Sequence, residues 1–312
     1  TGVVVRRWGR AEGLPGDRVY EVEPGPTGKL WVGTDSGLAL MWPDQDVIVP
    51  WNTSPLAAGE PAYAVLDLGS AVLIGGESGV TALGDLPRRY RDVLAVPGPV
   101  LALHRDGRAL WAVTPSDAWR LERGQLQRFE LPVEALSAAV GGGSLWVGSE
   151  RGLHRFDAGL GRFVAGPAVG PVRRIEGDGA VVWAVAGGRI LAIDGAGGQR
   201  DYLQVRLPTD LAVSPRGVWV ATARGPQLLD PYSGEVREIE GLDEGIERLA
   251  VGPEGEVVAW LEGGGLVRLP TGLPVVGGPP TWSLGVASDL HIDASGRTWI
   301  LGDRGAGVIP AR

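Results

Sequence analysis

One short pattern recurs along the chain and leaves few folds open to it. Leu30-Trp31-Val32-Gly33-Thr34-Asp35-Ser36-Gly37-Leu38 reads as a buried strand, a polar turn and the start of a second strand. Weaker copies follow at Leu145-Trp146-Val147-Gly148-Ser149-Glu150-Arg151-Gly152-Leu153, Val182-Trp183-Ala184-Val185, Val218-Trp219-Val220-Ala221-Thr222 and Thr298-Trp299-Ile300-Leu301-Gly302. The middle of this strand falls at Trp31, Leu73, Trp111, Trp146, Trp183, Trp219, Val258 and Trp299, with spacings of 42, 38, 35, 37, 36, 39 and 41 residues. A unit of about 38 residues is the size of a four-stranded propeller blade. Eight marks predict eight blades.

Each unit reads alike. A first strand such as Val19-Tyr20-Glu21-Val22 leads into a tight turn such as Ser214-Pro215-Arg216-Gly217, then the Trp strand, a polar turn and a third strand such as Gly152-Leu153-His154-Arg155-Phe156. A second hairpin, as in Asp230-Pro231-Tyr232-Ser233-Gly234, leads to the fourth. Pro, Asp and Gly supply the turn dihedrals. The inner strands read as apolar on both faces and the outer ones alternate, as expected of sheets packed between neighbours. Helical periodicity is absent; the one candidate, Leu131 to Val140, is interrupted by Pro132 and runs into three glycines.

The fold expected is therefore all-β: a single eight-bladed β-propeller of four-stranded antiparallel blades, forming one domain over 1–312. The blades span about 13–51, 56–96, 97–132, 133–170, 171–208, 209–243, 244–280 and 281–312 with 1–8. The last unit runs out of chain after three strands, whereas Val3 to Trp8 precedes blade one without a blade of its own. The N-terminal segment is expected to supply that missing outer strand and close the ring, which removes the last unpaired edge.

Composition narrows the function. A net charge of −8 argues against a nucleic-acid groove, which needs a basic stripe. With no cysteine, thiolate chemistry, disulfides and Cys-ligated metals drop out. No apolar run approaches the roughly 18 residues that would read as a membrane span. Gly 51 and Pro 24 fall between regularly spaced apolar runs, where they read as turns. No signal peptide is visible, and Thr1 reads as the start of a mature or trimmed chain.

Gly13-Leu14-Pro15-Gly16-Asp17-Arg18-Val19 followed by Gly28-Lys29-Leu30-Trp31-Val32-Gly33-Thr34-Asp35-Ser36-Gly37-Leu38 resembles the two-component regulator propeller repeat. Blade four matches its second motif, and blade six keeps the hairpin Leu229-Asp230-Pro231-Tyr232-Ser233-Gly234. Blade two departs with Val72-Leu73-Ile74-Gly75-Gly76, and blade seven displaces the tryptophan to Trp260. The resemblance implies an extracytoplasmic sensor propeller, periplasmic or at the cell surface, that binds a ligand or mediates association. Such propellers commonly precede a membrane span and a kinase. Neither lies in these residues, so output would need a partner or a further part of the protein. The repeat residues are structural in the family, so the resemblance assigns no ligand contact.

The tryptophans in register are expected to anchor blades, because they recur at the same repeat position. Trp282 lies off register, in the long segment joining blades seven and eight, and is a binding-surface candidate. The remaining candidates lie on the face shared by the turns between second and third strands and the blade-to-blade connections. They are Asp17, Arg18, Asp35, Glu60, Glu77, Ser116, Glu150, Arg151, Arg173, Asp210, Arg224, Glu244, Asp289, Asp303 and Arg304. A ring of polar loop residues around a channel mouth is the default place for a polar ligand or a protein partner.

His104, His154 and His291 fall at different depths of different blades, so no metal site and no cofactor are expected. Nothing matches a nucleophile elbow, a phosphate loop or a calcium loop; Asp44-Gln45-Asp46 reads as a hairpin tip. The leading expectation is non-catalytic recognition by a sensory or scaffold domain. In streptogramin-lyase-type propellers a catalytic histidine lies near the channel mouth, so an enzyme would use His291 or His104 as general base. A structural interaction module is the third reading. Ligand identity and oligomeric state are not encoded legibly.

Overall fold

Trp-bearing strands such as Ala109–Val113, Gly217–Thr222 and Thr298–Gly302 are buried at every position. A strand covered on both faces needs a sheet on each side, and a ring of radially packed sheets supplies both. The computed structural model describes residues 6–25, 28–42, 45, 47–51, 59–166, 170–195, 197–202, 207–240, 242–262, 265–269, 273–274, 287–293 and 295–309. Among them, eight antiparallel sheets form an eight-bladed propeller, seven of four strands and one of three. Trp282 and most of the Asp44–Asp46 tip lie outside the described residues.

Blades one to seven follow chain order. Blade one runs Val19–Pro24, Leu30–Thr34, Gly37–Trp42 and Val47–Trp51. Blade eight draws on both ends of the described chain: Ala287–Ile292, Thr298–Gly302 and Gly305–Ile309 are joined by Arg6–Trp8, with Trp8 opposite Ala306. Trp8 stacks on Trp299 at 5.4 Å, and both share a core with Val19, Leu30 and Val32 of blade one.

Blade two departs from the expected four strands. It has Ala62–Asp67, Ala71–Gly76 and Gly79–Gly84, after which the chain forms a 3-10 helix over Arg88–Ala95. Tyr90, Val93 and Val96 are buried at spacings of three, the period of a 3-10 helix, and pack with Val80 and with Leu103 and Leu110 of blade three. The α-helical period of 3.6 misses that pattern. The helix covers the flank of a sheet that lacks its fourth strand.

The Trp-x-Gly-Thr repeat has a separate physical reason at each position. A Cβ on Gly33 would lie 2.5 Å from the Ala62 carbonyl, and one on Gly148 would lie 2.6 Å from that of Val172, so glycine lets the next blade approach. Thr34 Oγ1 donates to the Gly37 carbonyl and accepts from the Ser36 N–H; Ser149 and Thr222 repeat the device. These hydroxyls are buried and tie the turn to itself. Trp111, Trp146, Trp183, Trp219 and Trp299 are all at most 3% exposed, which makes them packing anchors. Trp31 is half-buried, donates to Asp67 Oδ2 of blade two at 3.2 Å and meets Trp51 edge-on.

Candidate functional site

The first strands of neighbouring blades face one another around a central channel, and they are not apolar on both faces as expected. Six of them carry a register shift near their start: between Val19 and Glu21, Ala62 and Ala64, Val172 and Arg174, Pro208 and Asp210, Ile246 and Arg248, and Ala287 and Asp289. A bulge re-aims the side chain that follows it. In five of the six that residue is charged: Glu21, Arg174, Asp210, Arg248 and Asp289. Two positions on, opposite the Trp strand, stand Glu23, Glu176 and His291, with His104 at the matching place in blade three. The channel is thus lined by two polar layers.

A cavity of about 510 Å³ opens here, bounded by Tyr20, Glu21, Glu23, Tyr63, His104, Arg173, Arg174, Asp289 and His291. A second, of about 520 Å³, enters among blades five to eight and shares Arg174, Leu290 and His291 with the first. Those three side chains therefore stand between the two. A groove of about 730 Å³ lies between blades five and six at the opposite ends of the sheets, but its polar groups are committed to turns. Trp183 donates to Asp178, while Arg200 and Tyr202 bind the Pro231 carbonyl.

The channel charges are unequally compensated. Arg174 lies 3.0 Å from Asp210 and 3.6 Å from Asp289. Burial penalises its cation, yet the Asp210 and Asp289 carboxylates raise its pKa further. Asp210, 1% exposed, also accepts the Leu249 N–H of the next blade at 3.0 Å. Burial still raises its pKa against the pull of Arg174. Glu21 accepts the Val65 N–H at 2.8 Å and Glu23 that of Asp67 at 3.4 Å, bridging blades one and two. Burial lifts Glu21 from 4.5 to about 8, with Glu23 and Asp289 adding repulsion, and lifts Glu176 to about 7. Burial lowers the pKa of both His104 and His291, so both imidazoles are neutral at pH 7. The Nε2 atom of each is buried without a partner.

A pH dependence follows. The folded protein holds the Glu21 and Glu176 protons more tightly than the unfolded chain, so stability is greatest below about 4.5 for these groups and falls until about 8. Glu21→Gln keeps an acceptor for the Val65 N–H and cannot ionise. Thermal melts at pH 5 and pH 9 are expected to show the variant matching the native protein at pH 5 and melting several degrees higher at pH 9. Equal melting temperatures at both pH values would show that Glu21 carries no ionisation penalty.

Of the residues singled out in the sequence, Arg173, Asp289, His104 and His291 line the channel cavity, and Asp210 binds its Arg174. The other described loop candidates lie on the rim or in the connections, and His154 lies within Gly152–Asp157 of blade four. Asp17 accepts the Arg10 N–H, Arg18 covers the Tyr20 ring at 5.3 Å, and the Asp35 N–H bonds to the Arg18 carbonyl. Glu60 accepts from Ser78, and Glu77 from Tyr63. Ser116 donates to Asp117, and Glu150 pairs with Arg173. The Arg151 and Arg224 backbones close ST-turns, and the Arg304 carbonyl accepts from Arg7. Glu244 and Asp303 are exposed in their loops. Glu21, Glu23, Arg174, Glu176 and Arg248 were absent from the sequence-derived set; their signal was a charge inside a strand that leads into a Trp strand. Among the described residues no group of three or more side chains could hold a metal ion, and no helix is long and apolar enough to cross a membrane.

No protein-family model and no curated protein matches the chain. Solved structures do. The extracellular domain of the putative one component system BT4673 from B. thetaiotaomicron aligns at TM-score 0.60 with 16% identity, over 94% of this chain and 38% of that one. This chain thus spans well under half of that domain. The computationally designed protein Ika8 aligns at TM-score 0.70, with 13% identity, over 95% and 96% of the two chains. A catalytically inactive virginiamycin B lyase from Staphylococcus aureus, crystallised with quinupristin, aligns at TM-score 0.61 with 12% identity over 99% of each. At these identities the likeness is one of fold.

Proposed function

We propose that the chain is a non-catalytic recognition propeller, a sensory or scaffold domain that takes a small polar ligand at its central channel. The observation that carries this reading is the pair of polar layers, set by successive bulges, around one cavity. Buried charge is costly to maintain, and three bulges that bring Glu21, Arg174 and Asp289 to one cavity fit a binding site better than a structural core. The extracellular BT4673 domain supports a sensory role and an extracytoplasmic location. The test is calorimetry and thermal shift with a panel of sugars, amino acids, amines and carboxylates. A ligand whose binding is lost in both Glu23→Gln and His291→Gln is the expected result. Ligands that bind both variants as tightly as the native chain would place recognition elsewhere.

One observation favours a second reading. His104 and His291 line the cavity, and each has a buried Nε2 without a partner that a general base could use once substrate reaches it. The lyase of similar fold was crystallised with quinupristin, which makes that compound the direct probe. Incubation with quinupristin is expected to leave its mass and chromatographic mobility unchanged. Conversion that disappears in His291→Ala or His104→Ala would make the chain a lyase.

A further inference from the structure

We propose that the ligand of this channel is a small organic cation, whose primary ammonium group is received by Glu21 and Glu23. The inference rests on the channel being the recognition site. On this side of the wall two carboxyl groups stand without a cationic partner among the described residues. Each carboxyl group takes a single backbone N–H from blade two, which leaves its other oxygen without a hydrogen bond among the described residues. Among the described residues no Lys or Arg pairs with either one, because Arg174 is committed to Asp210 and Asp289. The charges that face the pair are themselves negative: Asp67 of blade two beside Glu23, and Asp289 of blade eight toward Glu21.

The half-buried His104 points to the same class of ligand independently. Its ring donates to the Ala138 backbone, a contact that works to raise its pKa. Nε2 has no partner among the described residues, so the donating nitrogen is Nδ1, and the Nε2 lone pair is left unpaired in a residue that lines the cavity. Carboxylate oxygens and an imidazole lone pair together ask for a donor-rich cation. An anion would add to the repulsion from Glu23 and Asp289. Tyr20 and Tyr63 meet edge to face at 5.1 Å at the mouth, and the Arg18 guanidinium already lies over Tyr20. The Tyr20 face is thus already taken by a cation, and recognition of an ammonium falls to the carboxyl groups and the imidazole. A bound ammonium also converts Glu21 from carboxyl to carboxylate near neutral pH, and the displaced proton passes to the buffer.

Isothermal titration calorimetry at pH 7 with cadaverine, glucose and glutarate, each in two buffers of different ionisation heat, tests this. Cadaverine is expected to bind with net proton release, and Glu21→Gln and Glu23→Gln are each expected to weaken it by about tenfold or more. Both variants conserve volume and the acceptor for the blade-two N–H, and circular dichroism confirms that they fold. Absence of cadaverine binding up to about 10 mM, or binding unchanged in both variants, overturns the proposal. Glucose or glutarate binding that His291→Gln abolishes, without cadaverine binding, overturns the amine class and leaves the channel as the recognition site.

Discussion

Trp299→Ala is expected to destabilise the protein by about 3–5 kcal/mol, which lowers the melting temperature by roughly 6–10 °C at about 2 °C per kcal/mol. The indole is fully buried, donates to Asp293 Oδ2 at 2.9 Å and stacks on Trp8. Asp293 is a hub: it also accepts from the Arg297 side chain at 2.7 Å and from the Ser295 hydroxyl at 2.6 Å. Burial alone would raise its pKa, but the hydrogen bonds from Ser295, Trp299 and Arg297 outweigh it and hold the carboxyl below its usual range. Alanine therefore leaves a cavity, frees one face of Trp8 and takes a donor from a buried carboxylate. Because Trp8 lies in the strand paired to Gly305–Ile309, the loss falls on the seam between blades eight and one. Trp8→Ala tests the seam independently, and increased proteolysis near residue 8 in either variant is the second readout. A melting temperature within about 2 °C of native would show that the stack contributes nothing to the closure.

Arg174→Ala is expected to cost a similar amount, about 3–5 kcal/mol, by leaving Asp210 buried without a counter-charge. The cost depends on pH. Without the guanidinium, the Asp210 pKa rises further, so the loss is smallest below about pH 4, where the carboxyl is neutral in both states, and grows as pH rises. Arg174→Ala with Asp210→Asn removes the stranded charge and is expected to recover most of the stability at pH 8. Urea denaturation at pH 4 and pH 8 separates these outcomes. An equal loss at both pH values would show that Arg174 acts through packing alone.

Much of the ring was legible in the sequence because its causes are local and repeated. A Trp strand buried on both faces, a Ser or Thr that closes the next turn and a glycine under the next blade recur about every 38 residues. Blade two shows where that reading fails. Leu86-Pro87-Arg88-Arg89-Tyr90 carries no α-helical period, yet burial at 90, 93 and 96 makes a 3-10 helix that covers the sheet where a fourth strand was expected.

The site was only partly legible. Loop position brought Asp289 and Arg173 into view and residue type the two channel histidines, together with rim and connection residues such as Asp17, Glu60, Glu77 and Glu150 whose interactions are local turns and rim pairs. Glu21, Glu23, Arg174 and Glu176 were hidden, because in sequence each is one more charge in a short strand. The bulge, which depends on how one strand pairs with the next, decides that these side chains face the channel.

The sequence by itself determined the repeat, the number of blades and the packing role of its tryptophans, because periodic burial is written residue by residue. The tertiary structure alone decided which charges meet. Glu21, Arg174 and Asp289 lie in three different blades, and only closure of the ring brings them around one cavity, with Asp210 of a fourth blade paired to Arg174.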